Sequence, residues 1–220
     1  MGAKDEIVGF EVIADERVGE GGFLSIRRLR LKLVRGDGTR TAEGLYDFVE
    51  RPIGLDAVVL AIWHRAPDGA RVLVRDGLRV PLQFGRADRP GAPRLHTELV
   101  AGIIERGEES LDAVRRRAAA EAHEEAGLDI AAESVVSLGA PVFPTAGMCA
   151  ELFHLMAVEV GADAIAAARV PAGDGSPFEE GARIRWLALD EALAQCARGE
   201  INDLKTEVTL RRLKDYLESR

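Results

Sequence analysis

The chain has 220 residues, 47% of them hydrophobic and 30% charged, enough for one large domain or for a small domain beside a core domain. A net charge of −8 argues against a nucleic-acid backbone as the main partner, but not against a phosphorylated small molecule, whose charge can be met by local arginines and bound cations. Two cysteines, Cys149 and Cys196, make no disulfide framework and fit a reducing cytoplasm; Met1 to Glu6 lack the apolar run of a signal peptide, and no stretch reaches the roughly eighteen apolar residues of a membrane span.

Residues 1–50 read as a β region. Leu29, Leu31 and Leu33 alternate with Arg30, Lys32 and Val34, the period of a strand, and Asp37-Gly38 is a hairpin turn signal. Arg51-Pro52-Ile53-Gly54 breaks the pattern, which places a boundary there and leaves 51–220 as the main domain. The run Val58 to Trp63 is continuously apolar, as in a strand buried on both faces; Pro67-Asp68-Gly69 turns the chain, and Arg71 to Arg75 returns as a second strand. Gly85 to Pro93, polar with two prolines, reads as a surface loop, and Leu99 to Ile104 as a short apolar strand. A helix is expected from Ser110 as N-cap to Gly127 as a left-handed C-cap. Further strands are expected over 135–143, 152–160 and 183–189, with a loop over 162–177. Asp190 is expected to cap a helix ending at Gly199, and a last amphipathic helix runs from about Asp203 to Leu217. Strands interleaved with a few helices give a mixed α/β, or α+β, class.

The segment that carries chemistry lies between the short strand and the first long helix. Gly102-Ile103-Ile104-Glu105-Arg106-Gly107-Glu108 leads into a helix ending Glu121-Ala122-His123-Glu124-Glu125-Ala126-Gly127-Leu128. Glu121 and Glu125 are i,i+4 neighbours and Glu121 and Glu124 are i,i+3 neighbours. Such like-charge pairs destabilise a bare helix by roughly 0.2–0.5 kcal/mol each. A cluster of hard oxygen ligands makes sense under a divalent cation such as Mg²⁺, with Mn²⁺ as the alternative ion and a substrate phosphate completing its shell. Solvated glutamates at a helix end are the plain alternative; the glycine turn and Gly127 favour the ligand reading.

These two stretches resemble the Nudix box, G-x5-E-x7-R-E-U-x-E-E-x-G-U with U a bulky apolar residue. Gly102, Glu108 and Arg116 fit its first half, and Glu121 to Leu128 fit its second if Ala122 stands for U. The halves do not abut. Arg117 stands where glutamate should follow Arg116, Glu121 comes four residues late, and Ala120 occupies the place of the arginine before it. Four residues are one helical turn plus roughly 40°, with about 6 Å of rise. Either the helix begins one turn earlier or a bulge takes up the excess, and either Arg116 or Arg117 takes over the missing arginine's role.

The flanks are similar to the ADP-ribose and nucleotide-sugar pyrophosphatases of this superfamily from about residue 50 onward: Arg51-Pro52 before an apolar strand, Arg79-Val80-Pro81, Glu98 to Gly102, Pro144 sixteen residues beyond Leu128, and Gly199 to Asp203. The resemblance implies an α/β/α sandwich with a mixed sheet, preceded by a small β region that makes a homodimer. It also implies Mg²⁺-dependent hydrolysis of the pyrophosphate bond of ADP-ribose or a nucleoside diphosphate sugar. Glu121, Glu125 and Glu124 would be metal ligands, with the Ala101 carbonyl as a further one. A general base would come from Glu179 or Glu180, with Glu151 as a weaker candidate, and Glu124 would be a catalytic residue as well as a metal ligand. Arg51, Arg75 and Arg79 would contact phosphates, although each also reads as an ordinary surface arginine. Glu98 would touch the substrate or a metal, and Met148 and Glu151 the substrate. The expected partner is therefore a nucleoside diphosphate-linked small molecule, not a nucleic acid or a membrane. The alternatives are a Nudix-like module that binds a nucleotide without cleaving it, motivated by Ala120 and the insertion, and a Nudix hydrolase of another nucleoside diphosphate derivative.

Overall fold

The alternating leucines around Leu31 form the middle strand of a three-stranded antiparallel sheet: β1 (Ile7–Val18), β2 (Ser25–Arg35) and β3 (Gly44–Glu50). The computed structural model describes residues 7–19, 21–84, 95–170 and 181–220. This sheet belongs to the first of two units, residues 1–55 with 145–151; the second comprises 56–144 and 152–220. Register in the first unit is reinforced by charge. Arg28 lies opposite Asp47 and pairs with it at 2.7 Å, and Arg27 reaches Asp15 at 2.6 Å and Glu50 at 3.2 Å. Opposite charges across a ladder each add roughly 0.2–1 kcal/mol and oppose a one-residue slip. The Asp-Gly signal is a turn, with Gly38 at φ 83° and the Asp37 carboxylate accepting from the Thr39 N–H. The segment 145–151 joins this unit through the Tyr46 hydroxyl on the Gly147 carbonyl and the Val49 N–H on the Met148 carbonyl.

In the second unit, β4 (Ala57–Ala66) is the spine of a mixed seven-stranded sheet. Its residues Ala57 to His64 are all buried, because helices cover both faces. One edge of β4 pairs in parallel with β9 (Phe153–Glu159), which pairs with the two-residue β8 (Val136–Ser137). The other edge is shared. Trp63 to Ala66 pair with β5 (Gly69–Leu78), whereas Ala57 to Leu60 pair with β7 (Val100–Ile103). Beyond the hairpin β5 pairs instead with β6 (Leu95–Glu98), and β10 (Arg183–Ala188) flanks its far side. Only Leu99 separates β6 from β7, so the sheet forks there. Glu98 is registered against Arg75 on one prong, and Val100 against Leu60 on the other.

Helix α2 (Leu111–Ala126) packs Val114, Ala118, Ala122 and Ala126 on one face of the sheet. On the other face α4 (Leu189–Arg198) and α5 (Leu204–Glu218) bury Leu189, Ala192, Leu210 and Leu213. The second unit is thus the α/β/α sandwich expected from the sequence. Two short helices complete it, α1 (Val80–Phe84) and α3 (Ala162–Ala167).

Several local expectations need correction. The strand over 135–143 shrinks to two residues. Gly139 takes φ 108°, the Ser137 hydroxyl bonds locally around it, and Pro141 has no N–H, although Val142 still exchanges both backbone hydrogen bonds with Phe153. Part of the expected 162–177 loop is α3. Asp190 does not cap α4: the N-cap position is Ala188, and Asp190 sits in the first turn, paired with Lys214 at 2.7 Å. Phe143, although a large apolar residue, is 57% exposed. The loop expected over 85–93 lies outside the described residues.

Candidate functional site

Among the described residues no strand pairs with the outer edge of β7, and at Ala101 the end of α2 meets that edge through Glu125. Ser110 caps α2 by accepting from the Ala113 N–H, and Gly127 ends it in the left-handed conformation at φ 66°. Between these caps the helix is continuous over 16 residues. The stretch from Arg116 to Glu121 therefore runs as regular helix, with no bulge.

The helix separates the two arginines. Arg116 is exposed, while Arg117 points back at the preceding loop, its Nη2 3.1 Å from Glu108 and 3.3 Å from Glu105. Burial works against the Arg117 charge, but Glu108, Glu121 and Glu105 outweigh it and hold its pKa above the ordinary value. Arg117 is one turn before Glu121, so in sequence it stands between the loop carboxylates and the first helix glutamate, and it feels the charge of both.

Glu121 is buried and lies flat against Gly102. A Cβ on Gly102 would fall on its carboxylate and 2.5 Å from its Cγ, so only glycine allows this close approach. One turn on, Glu125 accepts a hydrogen bond from the Ala101 N–H at 3.1 Å and lies 3.6 Å from Arg75. The N–H and C=O of an extended residue project to the same side of its strand, so the Ala101 carbonyl opens onto the same edge. Burial pushes the Glu125 carboxyl up to about 7, with the charge of Glu98 adding to it against Arg75, the Ala101 amide and Arg79. Glu124 is exposed on the neighbouring face, and His123 pairs outward with Asp129 at 2.8 Å.

The donor set fits a hard divalent cation: carboxylates of Glu121 and Glu125 and a strand-edge carbonyl, all oxygen, with one carboxylate so enclosed that it retains a proton near neutrality unless a positive charge arrives.

Glu98, expected to touch substrate or metal, is 1% exposed and engaged on both oxygens. Arg79 donates to Oε1 from Nε at 2.8 Å, and Lys205 Nζ lies 2.6 Å from Oε2. Burial would raise its pKa, yet Lys205 and Arg79 prevail and hold the carboxyl below the usual range. His96, Glu98 and Asp203 present ligand atoms within 4.8 Å of one another. Lys205 also reaches Asp203 at 2.9 Å, so an ammonium already bridges two of these three groups. Sequence reading overlooked Lys205 and Asp203; the only signal was a capping aspartate followed two residues later by lysine in a helix's first turn.

Among the other expected site residues, Arg75, Arg79 and Glu98 gather at the fork with Glu121, Glu125 and Ala101. Arg51, Met148 and Glu151 belong to the first unit. There Arg51 donates to the carbonyls of Gly54 and Leu55 and pairs with Glu151 at 3.0 Å, and Met148 is 56% exposed. Glu179 and Glu180 lie outside the described residues.

The sequence matches no family profile, and no curated protein matches it. Solved structures do. An ADP compounds hydrolase is similar over 98% of this chain and 97% of its own, at 12% identity and a TM-score of 0.63. An Ap4A hydrolase from C. elegans, solved as a binary complex, covers 75% of this chain and all of its own at 16% identity and a TM-score of 0.45. The NUDIX domain of Shewanella oneidensis NrtR, solved with ADP ribose, covers 74% of this chain and 88% of its own at 10% identity and a TM-score of 0.45. The first of these establishes a shared fold; the other two are too distant to add to that.

Proposed function

We propose that this chain, which has the Nudix fold, is a Mg²⁺-dependent hydrolase of the pyrophosphate bond in ADP-ribose or a nucleoside diphosphate sugar, releasing a nucleoside monophosphate and a sugar phosphate. The observation that carries this reading is the closure of the split motif. Arg117 holds Glu108 and Glu105, and one turn further on Glu121 and Glu125 lie against Gly102 and Ala101. A vestigial helix would have no reason to bring buried glutamates onto a strand edge; a cation-dependent site needs it.

In this reading Glu121, Glu125 and the Ala101 carbonyl hold the cation, with Glu124 beside them. When bound, the ion neutralises phosphate charge and lowers the pKa of a water. The Arg79 guanidinium, half exposed at the fork, binds a phosphate oxygen of the substrate. Arg75 steadies Glu125, and Gly77 leaves room for it, since a Cβ there would meet its Nη1 at 2.8 Å. On sequence grounds the base that takes the proton of the attacking water is Glu179 or Glu180, and Arg51, Met148 and Glu151 contribute to substrate binding.

The first unit exposes Val12, Ile13, Phe23, Leu45 and Tyr46, apolar side chains that support a homodimer through the N-terminal strands. A mass near twice 23.8 kDa by light scattering supports this, and a monomer across the micromolar range removes it. Two free cysteines fit the proposed cytoplasmic location, and among the described residues no helix is long and apolar enough to cross a membrane.

The test is direct. Purified protein is incubated with ADP-ribose, UDP-sugars and GDP-sugars, with and without Mg²⁺, and monophosphate release is followed. Release that needs the ion and collapses in Glu125→Gln is expected. No release from any of them, or release unchanged in that variant, overturns the reading.

A further inference from the structure

Lys205 lies in the first turn of α5, where the helix dipole disfavours a positive charge. It is nonetheless largely buried, with Nζ 2.6 Å from Glu98 and 2.9 Å from Asp203. The reason lies across the fork. Glu98 is enclosed at the end of β6, and a buried carboxylate with one partner is poorly compensated. Lys205 takes Oε2, leaving Oε1 to receive both Nε and Nη2 of Arg79 at 2.8 and 2.6 Å. Arg79 itself is 45% exposed, and the charges of Glu125 and Asp203 act on it as well as that of Glu98. Asp203 is fixed in turn by the Thr206 N–H and hydroxyl, and the Thr206 hydroxyl accepts from the Leu99 N–H at 2.9 Å. The start of α5 is thereby tied to the two residues at which the sheet divides.

We propose that Lys205 is a positioning residue for the diphosphate: by neutralising the inner oxygen of Glu98 it leaves the outer one to hold the Arg79 guanidinium rigidly at the rim of the carboxylate cluster, where it receives the substrate's phosphate. This rests on the hydrolase reading above. Lys205 does not reach the substrate; it acts through Glu98 on Arg79. Without it, Glu98 would take up a proton or draw Arg79 inward, and either change releases the guanidinium from its outward orientation.

The experiment compares wild type with Lys205→Met, Lys205→Arg, Arg79→Ala and the Lys205→Met/Arg79→Ala pair, in ADP-ribose kinetics with Mg²⁺. It also follows the Arg79 Nε–H resonance, identified by its loss in Arg79→Lys. In Lys205→Met, KM rises about tenfold with kcat changed far less, and Lys205→Arg restores most of the loss. The paired variant is no worse than Arg79→Ala alone, as expected of residues that act as a unit. The Arg79 resonance broadens or shifts in Lys205→Met and returns in Lys205→Arg. Should Lys205→Met fail to fold, Lys205→Gln, which removes the charge but keeps a polar group against Glu98, gives the same comparison. Wild-type KM and an unmoved resonance in the methionine variant, or additive effects with Arg79→Ala, overturn the inference while leaving hydrolysis intact. A moved resonance in a protein that releases no monophosphate overturns the hydrolase reading and leaves the hold of Lys205 on Arg79 standing.

Discussion

Gly102 and Glu121 touch so closely that a single methyl group on the strand would occupy the place of the helix carboxylate. The contact joins β7 to α2 and sets how deep the first glutamate lies. Gly102→Ala therefore has two separable effects. Relieving the overlap costs about 1–3 kcal/mol if the backbone shifts, and less if Glu121 swings away. In either case the carboxylate leaves its seat. Urea unfolding together with Mg²⁺ titration tests this. The expected outcome is weakened metal binding even if stability falls little, and unchanged metal binding would mean that Glu121 is not a ligand.

The rotation of α2 turns Arg117, not Arg116, toward Glu108 and Glu105, and the proposed function gives it the motif arginine's part. Arg116→Ala should stay within about 0.5 kcal/mol of wild type and keep its activity, as exposed substitutions do. Arg117→Ala removes the link between Glu108 and the helix and should lower activity about 10–100-fold, the usual loss when an outer-shell partner of a metal site goes. Equal activities in the two variants would show that the insertion left the arginine's role vacant.

Glu125 gives a pH signature in the metal-free protein. Its carboxyl rises from 4.5 to about 7 on folding, so between these values the folded state holds a proton that the unfolded state has lost. The resulting stabilisation is complete below pH 4.5 and disappears as pH rises through 7. At 1.36 kcal/mol per unit it amounts to about 3 kcal/mol. Glu125→Gln imitates the protonated form, so the difference in melting temperature between variant and wild type should widen in the variant's favour from pH 5 to pH 8. Added Mg²⁺ should narrow that difference in wild type and do so more at higher pH, because the ion displaces the proton. Parallel melting curves across pH would contradict the raised carboxyl.

Thr206 is fully buried, and its hydroxyl is the acceptor for the Leu99 N–H at the fork. Thr206→Val keeps the shape and leaves that amide without its acceptor, at a cost of about 1–3 kcal/mol. Thr206→Ser should recover most of it. Denaturant midpoints for the three proteins decide the matter, and a valine variant as stable as wild type would mean that the amide finds another partner.

Much of this was legible along the chain. The apolar run from Val58 to Trp63 identified the spine of the sheet, because only a strand covered on both faces can be apolar at every position. Ser110 and Gly127 bracketed the acidic helix because capping is a local reaction of side chain and backbone. The split motif named Glu121 and Glu125 before any contact was known. The strand expected over 135–143 fell short for an equally local reason, a left-handed glycine and a proline that pattern alone did not weigh.

Distance-dependent choices were not legible. Arg116 and Arg117 are adjacent in sequence, and only the rotation of α2 against the loop of Glu105 and Glu108 separates a solvated arginine from a bound one. Glu98 looked like a strand-end carboxylate available to a ligand; the fold engages it with a lysine 107 residues away. Sequence by itself determined the elements, the buried spine and the acidic cluster at the end of α2, since periodicity, capping and charge spacing act over a few residues. The fork at Leu99, the choice of Arg117 and the Glu98–Lys205 pair were decided by tertiary structure alone, because burial and charge compensation depend on neighbours that only packing brings within a few ångströms.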